Sequence, residues 1–282
     1  MKISACIITY NQAPFIRKCI EGALLQKTSF DYEIIIGDDN STDGTFEICK
    51  WYADEFPDLI KLIRRPINVG MVGNWLKTIS ECSGDYIAIC EGDDFWIDEN
   101  KLHQQADFLK TNPVYNISVH DVFYVNEYNQ ISTSRFTEPR LLDSSKTKYS
   151  LVDYIQNECL FHTSSFMIKK SMMSSFPNFL DKVMSLDQAI FVLYCLDGFI
   201  HYINRPMSCY RIHAAGITKS KSHKSLLKST NNQLLLFQNL DKYTDHKFHD
   251  LFARRIWKLN INRLKLFSGL HYVKQLLFKD NA

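Results

Sequence analysis

Residues 33–45 read Glu33-Ile34-Ile35-Ile36-Gly37-Asp38-Asp39-Asn40-Ser41-Thr42-Asp43-Gly44-Thr45. Three consecutive isoleucines put β-branched, apolar side chains on both faces of a strand, which suits a strand covered on both sides, as in a parallel sheet. The Asp, Asn, Ser and Gly that follow favour a turn and a helix N-terminus, and an amphipathic stretch begins at Thr45. Strand, polar turn and helix make half of a βαβ unit, and the pattern repeats on either side. Strands are expected at 2–9, 32–37, 60–64 and 86–90, with helices near 13–26, 45–56 and 72–82. Alternation of this kind calls for a parallel sheet with crossover helices, an α/β fold.

Beyond residue 100 the pattern loosens. A helix over 101–111 is stopped by Asn112-Pro113, and 115–131 reads as a strand pair turned at 126–130. Residues 132–150 are polar and contain Pro139, which predicts an irregular loop. A second unit follows from Leu151, with a helix near 185–196 and strands at 200–204 and 206–213. From Leu226 onward the chain reads as helical, and no internal repeat is present.

The 282 residues, 45% of them hydrophobic, are enough for one large core or two modest ones. The first apolar run, residues 3–10, is broken by Ser4 and Thr9 and followed by Asn11, so it suits neither a signal-peptide core nor a membrane span. A cytoplasmic protein is expected. Eight cysteines without a C-x-x-C pair read as small buried hydrophobes in a reducing compartment. The net charge of +2 hides an asymmetry, because residues 221–282 hold 12 Lys and Arg against 4 Asp and Glu. The remaining body is therefore acidic and would repel a phosphate backbone, which argues against a nucleic-acid partner.

In a parallel sheet, ligands bind outside the carboxyl ends of the strands. Three of the expected strands end in polar clusters: Thr9-Tyr10-Asn11, Asp38 to Gly44, and Glu91-Gly92-Asp93-Asp94. Capping explains one or two of these residues, but not two carboxylate clusters at one edge. So many negative charges call for a cation or for ligand donors.

Together with the opening Ser4-Ala5-Cys6-Ile7-Ile8-Thr9-Tyr10-Asn11, the Asn68-Val69-Gly70 turn, and Gly84-Asp85-Tyr86-Ile87 running on to Phe95-Trp96, these pieces resemble the family 2 inverting glycosyltransferases with the GT-A fold. The resemblance covers residues 1 to about 217. It implies a mostly parallel sheet flanked by helices, with a catalytic domain over 1–220, a nucleotide-binding half at 1–112 and an acceptor half at 113–220, and a basic helical extension over 221–282. It implies transfer of a sugar from a nucleotide diphosphate donor, UDP-sugar by preference, to a glycan or lipid-linked acceptor, with Mn2+ or Mg2+. The nucleotide-sugar pocket would be lined by Thr9, Tyr10, Asn11, Asp38, Asp39, Asn68, Gly70, Asp93 and Arg211, Asp39 reading the uracil imide. Asp94, Asp93 and His213 would hold the metal. Glu91 stands where many relatives have Asp.

A second resemblance lies at Ser185-Leu186-Asp187-Gln188 and Cys209-Tyr210-Arg211-Ile212-His213. It makes Asp187 the general base, although Leu186 replaces the Glu usual before it. A place at a helix N-terminus should depress the Asp187 pKa and keep it ionised. Arg211 and His213, two apart on a strand, share a face. Neither G-x-G-x-x-G nor G-x-x-x-x-G-K-[ST] occurs. The rival readings are a sugar-phosphate nucleotidyltransferase, which should show a Gly-rich N-terminal loop, and a non-catalytic glycan- or nucleotide-binding module. Finally, Trp257, Ile261, Leu264, Phe267, Leu270, Val273 and Leu277 recur at three- and four-residue steps among Lys258, Arg263, Lys265 and Lys274. That describes a basic amphipathic helix, suited either to packing or to peripheral contact with an anionic membrane.

Overall fold

The computed structural model describes residues 1–137, 145–157, 160–214, 216 and 222–267. They form two compact units, one of Met1–Phe176 with Ile190–His213, the other of Pro177–Ala189 with the described residues from Ala214 onward.

The first unit is built on a ten-stranded sheet. Strands β1 (Lys2–Thr9), β2 (Asp31–Asp38), β3 (Ile60–Arg64) and β4 (Tyr86–Glu91) pair in parallel in the order β3-β2-β1-β4. Helices α1 (Ile16–Leu24), α2 (Thr45–Glu55) and α3 (Gly70–Glu81) make the crossovers. Residues 3, 5 and 7 of β1 and 34 and 36 of β2 pack with Ile16, Cys19, Ile20 and Ala23 of α1 in one buried cluster. Each fully buried Ile contributes about 1.5–3 kcal/mol. On the other face α3 comes so close to β2 that a Cβ on Gly37 would lie 1.9 Å from Thr78 Oγ1. Only glycine fits there.

After β5 (Phe95–Trp96) and α4 (Lys101–Thr111), the long strand β6 (Tyr115–Asn126) turns through residues 127–130 into β7 (Ile131–Arg135). The expected loop over 132–150 is thus partly strand: β7 and the two-residue β8 (Lys148–Tyr149) both belong to the sheet, while 138–144 lie outside the described residues. After α5 (Leu151–Gln156) comes β9 (Met167–Lys169), which pairs antiparallel with both β4 and β6. Its two antiparallel pairings leave β6 running the same way as β4. The two strands expected at 200–204 and 206–213 are one, β10 (Phe199–Ile212), parallel to β6. Pro206 has no N–H to give the ladder, and the register shifts around it instead of the strand ending. The ends of β1, β2, β4, β6 and β10 therefore reach one edge.

Helix α6 (Leu186–Cys195) begins in the second unit and ends in the first. Among its described residues the second unit also holds a short 3-10 helix (Asn178–Lys182) and the helices α7 (His223–Tyr243) and α8 (His249–Phe267), so the helical reading from Leu226 is interrupted at 244–248. Leu234, Phe237 and Leu240 of α7 and Phe252, Leu259 and Leu266 of α8 are buried, and Arg255 donates to Gln233 at 2.9 Å. No helix among the described residues is long and apolar enough to cross a membrane. Cys6, Cys19, Cys49, Cys82, Cys90, Cys195 and Cys209 are free and buried; Cys159 lies outside the described residues.

Candidate functional site

At the β1 end, the chain turns through Asn11 in a left-handed conformation (φ 51°), which asparagine tolerates. Asn11 N–H donates to Ser41 Oγ at 3.0 Å, and its side-chain oxygen accepts from Thr42 N–H at 2.9 Å, tying this turn to the one after β2. Thr9 Oγ1 donates to Gln12 Oε1 at 2.8 Å, and Tyr10 is left 47% exposed. The Asp38–Gly44 turn does cap α2, as its composition suggests. Asp43 is the residue responsible, accepting from the Thr45 N–H and hydroxyl and from Ala13 N–H. Against the upward push of burial, those hydrogen bonds lower its pKa.

The two carboxylates at the head of that turn have other partners. Asp38 is buried, accepts from Ser41 N–H at 3.1 Å, and lies 4.0 Å from Arg64 Nε. Asp39 is buried and receives Val69 N–H at 2.8 Å on one oxygen and Gly70 N–H at 2.9 Å on the other, while Asn68 Nδ2 donates to its carbonyl. Asp39 thus serves α3 as a capping carboxylate brought in from another loop, favoured by the helix dipole. Each oxygen keeps a lone pair for a further donor.

The third cluster follows β4. Gly92 is pressed against the β1 turn, where a Cβ would meet Gln12 Oε1 at 2.4 Å and Thr9 Oγ1 at 2.8 Å. Asp94 is buried, and its Oδ1 accepts the backbone N–H of Arg211 at 2.8 Å. Its Oδ2 lies 3.6 Å from His162 Nδ1. Burial, then repulsion from Asp93 and Glu91, pushes the Asp94 carboxyl well above the usual carboxylate range. Asp93 is hydrogen-bonded to His213 Nε2 at 3.0 Å, and the His213 ring packs 4.7 Å from Phe15.

Arg211 is buried, with its guanidinium 4.6 Å from the centroid of the Phe15 ring. It donates to Asp93 carbonyl at 2.8 Å, Asn126 carbonyl at 2.7 Å and Asn129 Oδ1 at 2.9 Å. Three of its donors thus fasten the acidic loop to the β6–β7 turn. His213 lies one residue past β10, yet it and Arg211 come to the same place: both pack on the Phe15 ring and both bond to Asp93.

Among the described residues, one group of possible metal-ligating atoms at this edge lies within 4.8 Å of one another: Glu91, Asp94 and His162. The expected trio was Asp94, Asp93 and His213; here Asp93 and His213 hold each other, and His162 stands beside Asp94. Two carboxyls and an imidazole, one of the carboxyls pushed up by burial and by like charge, suit a divalent cation. Glu91, which stands where many relatives have Asp, belongs to the group. His162 was missed because a lone His before Thr163-Ser164-Ser165 carries no signal until the fold lays it against the β4 loop.

Asp187, in the second unit, stands in the first turn of α6. Burial raises its pKa in spite of the helix N–H groups that lower it, so the expectation of a depressed value is corrected. Desolvation outweighs the dipole here.

The family model for glycosyl transferase family 2 matches residues 4–176. The chain belongs to this family. It is 34% identical over 218 residues to an uncharacterised protein of Mycobacterium tuberculosis, covering 77% of this chain but 61% of that one, so it spans about three fifths of that relative's length. It is 27% identical over 232 residues to the UDP-Glc:alpha-D-GlcNAc-diphosphoundecaprenol beta-1,3-glucosyltransferase WfaP of Escherichia coli, covering 81% of this chain and 84% of that one. In structure it resembles the mannosyltransferase PcManGT of Pyrobaculum calidifontis, solved with GDP-Man and Mn2+, with a TM-score of 0.59 at 16% identity over 92% of this chain and 73% of that one. That likeness fixes the fold as GT-A type.

Proposed function

We propose that the chain is an inverting, divalent-cation-dependent hexosyltransferase that moves a sugar from a nucleotide diphosphate donor, by preference UDP-sugar, to a hydroxyl of a glycan or lipid-linked acceptor. The observation that carries this reading is the Asp94 carboxyl, set beside Glu91 and His162 and pushed up first by burial and then by its acidic neighbours. A carboxyl kept in that state would gain from a divalent cation placed beside it. The family match and the UDP-Glc named for the Escherichia coli relative support the donor class. Supporting Mn2+ or Mg2+ is the Mn2+ named with the Pyrobaculum enzyme.

In this reading Thr9, exposed Tyr10, Asn11, Asp38, Asp39, Asn68 and Gly70 receive the nucleoside, with a spare lone pair of Asp39 taking the imide N–H. Glu91, Asp94 and His162 would hold a divalent cation, which would supply positive charge to a departing diphosphate. Asp93 and His213 border the diphosphate. Arg211 fixes the loop that carries Asp93 and Asp94. Asp187 takes the acceptor's proton as its oxygen bonds to the anomeric carbon and the bond from that carbon to the diphosphate breaks, with its electron pair leaving on the diphosphate oxygen. A pKa raised by burial makes Asp187 a stronger base than a free aspartate.

The test is a panel of nucleotide sugars scored by thermal shift with and without Mn2+, followed by nucleoside diphosphate release, on wild type and Asp94→Asn. Asparagine keeps an acceptor for Arg211 N–H, which alanine would strand. One donor should stabilise wild type only with metal, and the variant should lose that dependence. Equal metal dependence in both would remove Asp94 as ligand.

A peripheral contact with an anionic membrane, on its inner face, fits a lipid-linked acceptor. It is favoured by α8, where Trp257 and Leu264 are 68% and 65% exposed near Lys258 and Lys265. Leu270, Val273, Lys274 and Leu277 of the expected stripe lie outside the described residues. Flotation with anionic vesicles at low and high salt tests it: no binding at low salt ends the proposal.

A further inference from the structure

The connection between α7 and α8 gathers three side chains that the proposed chemistry does not use. Asp241, near the end of α7, is buried, with one carboxylate oxygen receiving His246 Nδ1 and His249 Nδ1, each at 2.9 Å. Its other oxygen, Oδ1, is buried without a hydrogen-bond partner. Bringing His246 back over the helix end takes two consecutive non-glycine residues in the left-handed region, Asp245 at φ 47° and His246 at φ 61°. Such conformations cost free energy and persist where the surroundings impose them.

We propose that Asp241, His246 and His249 form a site for a divalent transition cation of the zinc class, separate from the acidic edge of the sheet. The three ligand atoms lie within 4.8 Å of one another. Two imidazoles and one carboxylate are a donor set that zinc accepts and that Mg2+ and Ca2+, which want oxygen, do not prefer. Around a tetrahedral ion with bonds of about 2.0–2.2 Å, ligand atoms stand about 3.3 Å apart. The Asp241 oxygen stands 2.9 Å from each Nδ1 and all three ligand atoms lie within 4.8 Å of one another, so rotation of the two exposed rings brings them to that spacing. The side chains of His246 and His249 are 62% and 59% exposed, so each ring can carry its proton on Nε2 in water while Nδ1 binds the ion. The buried Asp241 Oδ1 gains a cation beside it. Three protein ligands leave a fourth position for water or an outside group, and the ion clips the end of α7 to the start of α8.

The experiment uses the full chain, without affinity-tag histidines, stripped with chelator. To silence the acidic edge it is done in the Asp94→Asn background, and Zn2+ is added with Mg2+ as control. The expected result is one Zn2+ bound per chain with a rise in melting temperature, and a visible Co2+ absorption of a tetrahedral nitrogen-containing site. His249→Asn is the decisive variant, since its amide N–H can still donate to Asp241 while the metal loses a ligand. Its affinity for Zn2+ should fall more than about tenfold with helix content by circular dichroism unchanged. Zn2+ binding that is absent from the parent, or that survives unchanged in His249→Asn and in His246→Ala, overturns the proposal.

Discussion

Lys101 is the first residue of α4, fully buried, with Nζ donating to Gln105 Oε1 at 2.8 Å and lying 4.2 Å from the Trp96 ring centroid. Burial pushes its pKa down from 10.5 to about 7. The unfolded chain keeps the proton up to the higher value and the folded chain releases it near the lower one. Stability from this group therefore rises with pH between about 7 and 10.5. At about 1.4 kcal/mol per unit, the ammonium costs the fold about 4 kcal/mol at pH 7 and about 1 kcal/mol at pH 9.5. Lys101→Met fills the same space with an unbranched chain and a thioether that packs well on an indole. Urea midpoints should show the variant more stable at neutral pH, with the advantage shrinking by about 3 kcal/mol toward pH 9.5. A variant less stable at pH 7, or a difference that does not change with pH, would refute the reasoning.

Asp187→Asn should retain UDP affinity and lose turnover by about 10²-fold or more, read from nucleoside diphosphate release; near-normal turnover would remove it as the base. Gly92→Ala should cost about 1–3 kcal/mol and weaken nucleotide binding, because its Cβ meets the Thr9 and Gln12 side chains; thermal melts and calorimetry with UDP and Mn2+ decide, and unchanged values count against the packing. Glu33, against the upward push of burial, is held at about 2 by hydrogen bonds from Lys2, Ser4 and Ser83. Its stabilisation is present above the usual glutamate pKa and lost as pH falls toward about 2, so Glu33→Gln should be less stable than wild type at pH 6 and equal to it near pH 2 in acid melts.

The first hundred residues were readable because each segment announces itself. Ile34 to Ile36 admit little but a buried strand, and the expected 2–9 and 60–64 coincide with β1 and β3, as the expected 101–111 just beyond does with α4. Helix α1 starts at Ile16, later than expected, because Gln12 carbonyl draws Phe15 and Ile16 N–H into a turn of the site loop. The second half was harder. Strands β5, β8 and β9 are two or three residues long, too short to show a period, and β10 absorbs a proline that reads as a break. At the site, sequence reached Asp39, Asp93 and Asp94 through the ends of their strands. It missed His162 and the Val69 and Gly70 N–H groups on Asp39, since partners about seventy or about thirty residues away leave no local trace.

The hydrogen bond from Arg211 N–H to Asp94 joins residues 117 apart in sequence. Strands β1 to β4 can pair as soon as they leave the ribosome, and domains do fold from the N-terminus during synthesis. The acidic loop cannot be finished then. Its backbone donor and the guanidinium that fastens it emerge only with the end of β10, well after His162. A chain halted before β10 thus has the turns after β1 and β2 already tied together, while Asp94 still lacks the Arg211 N–H and the loop that carries it still lacks the guanidinium, so the acidic loop is the last part of this sheet edge to set.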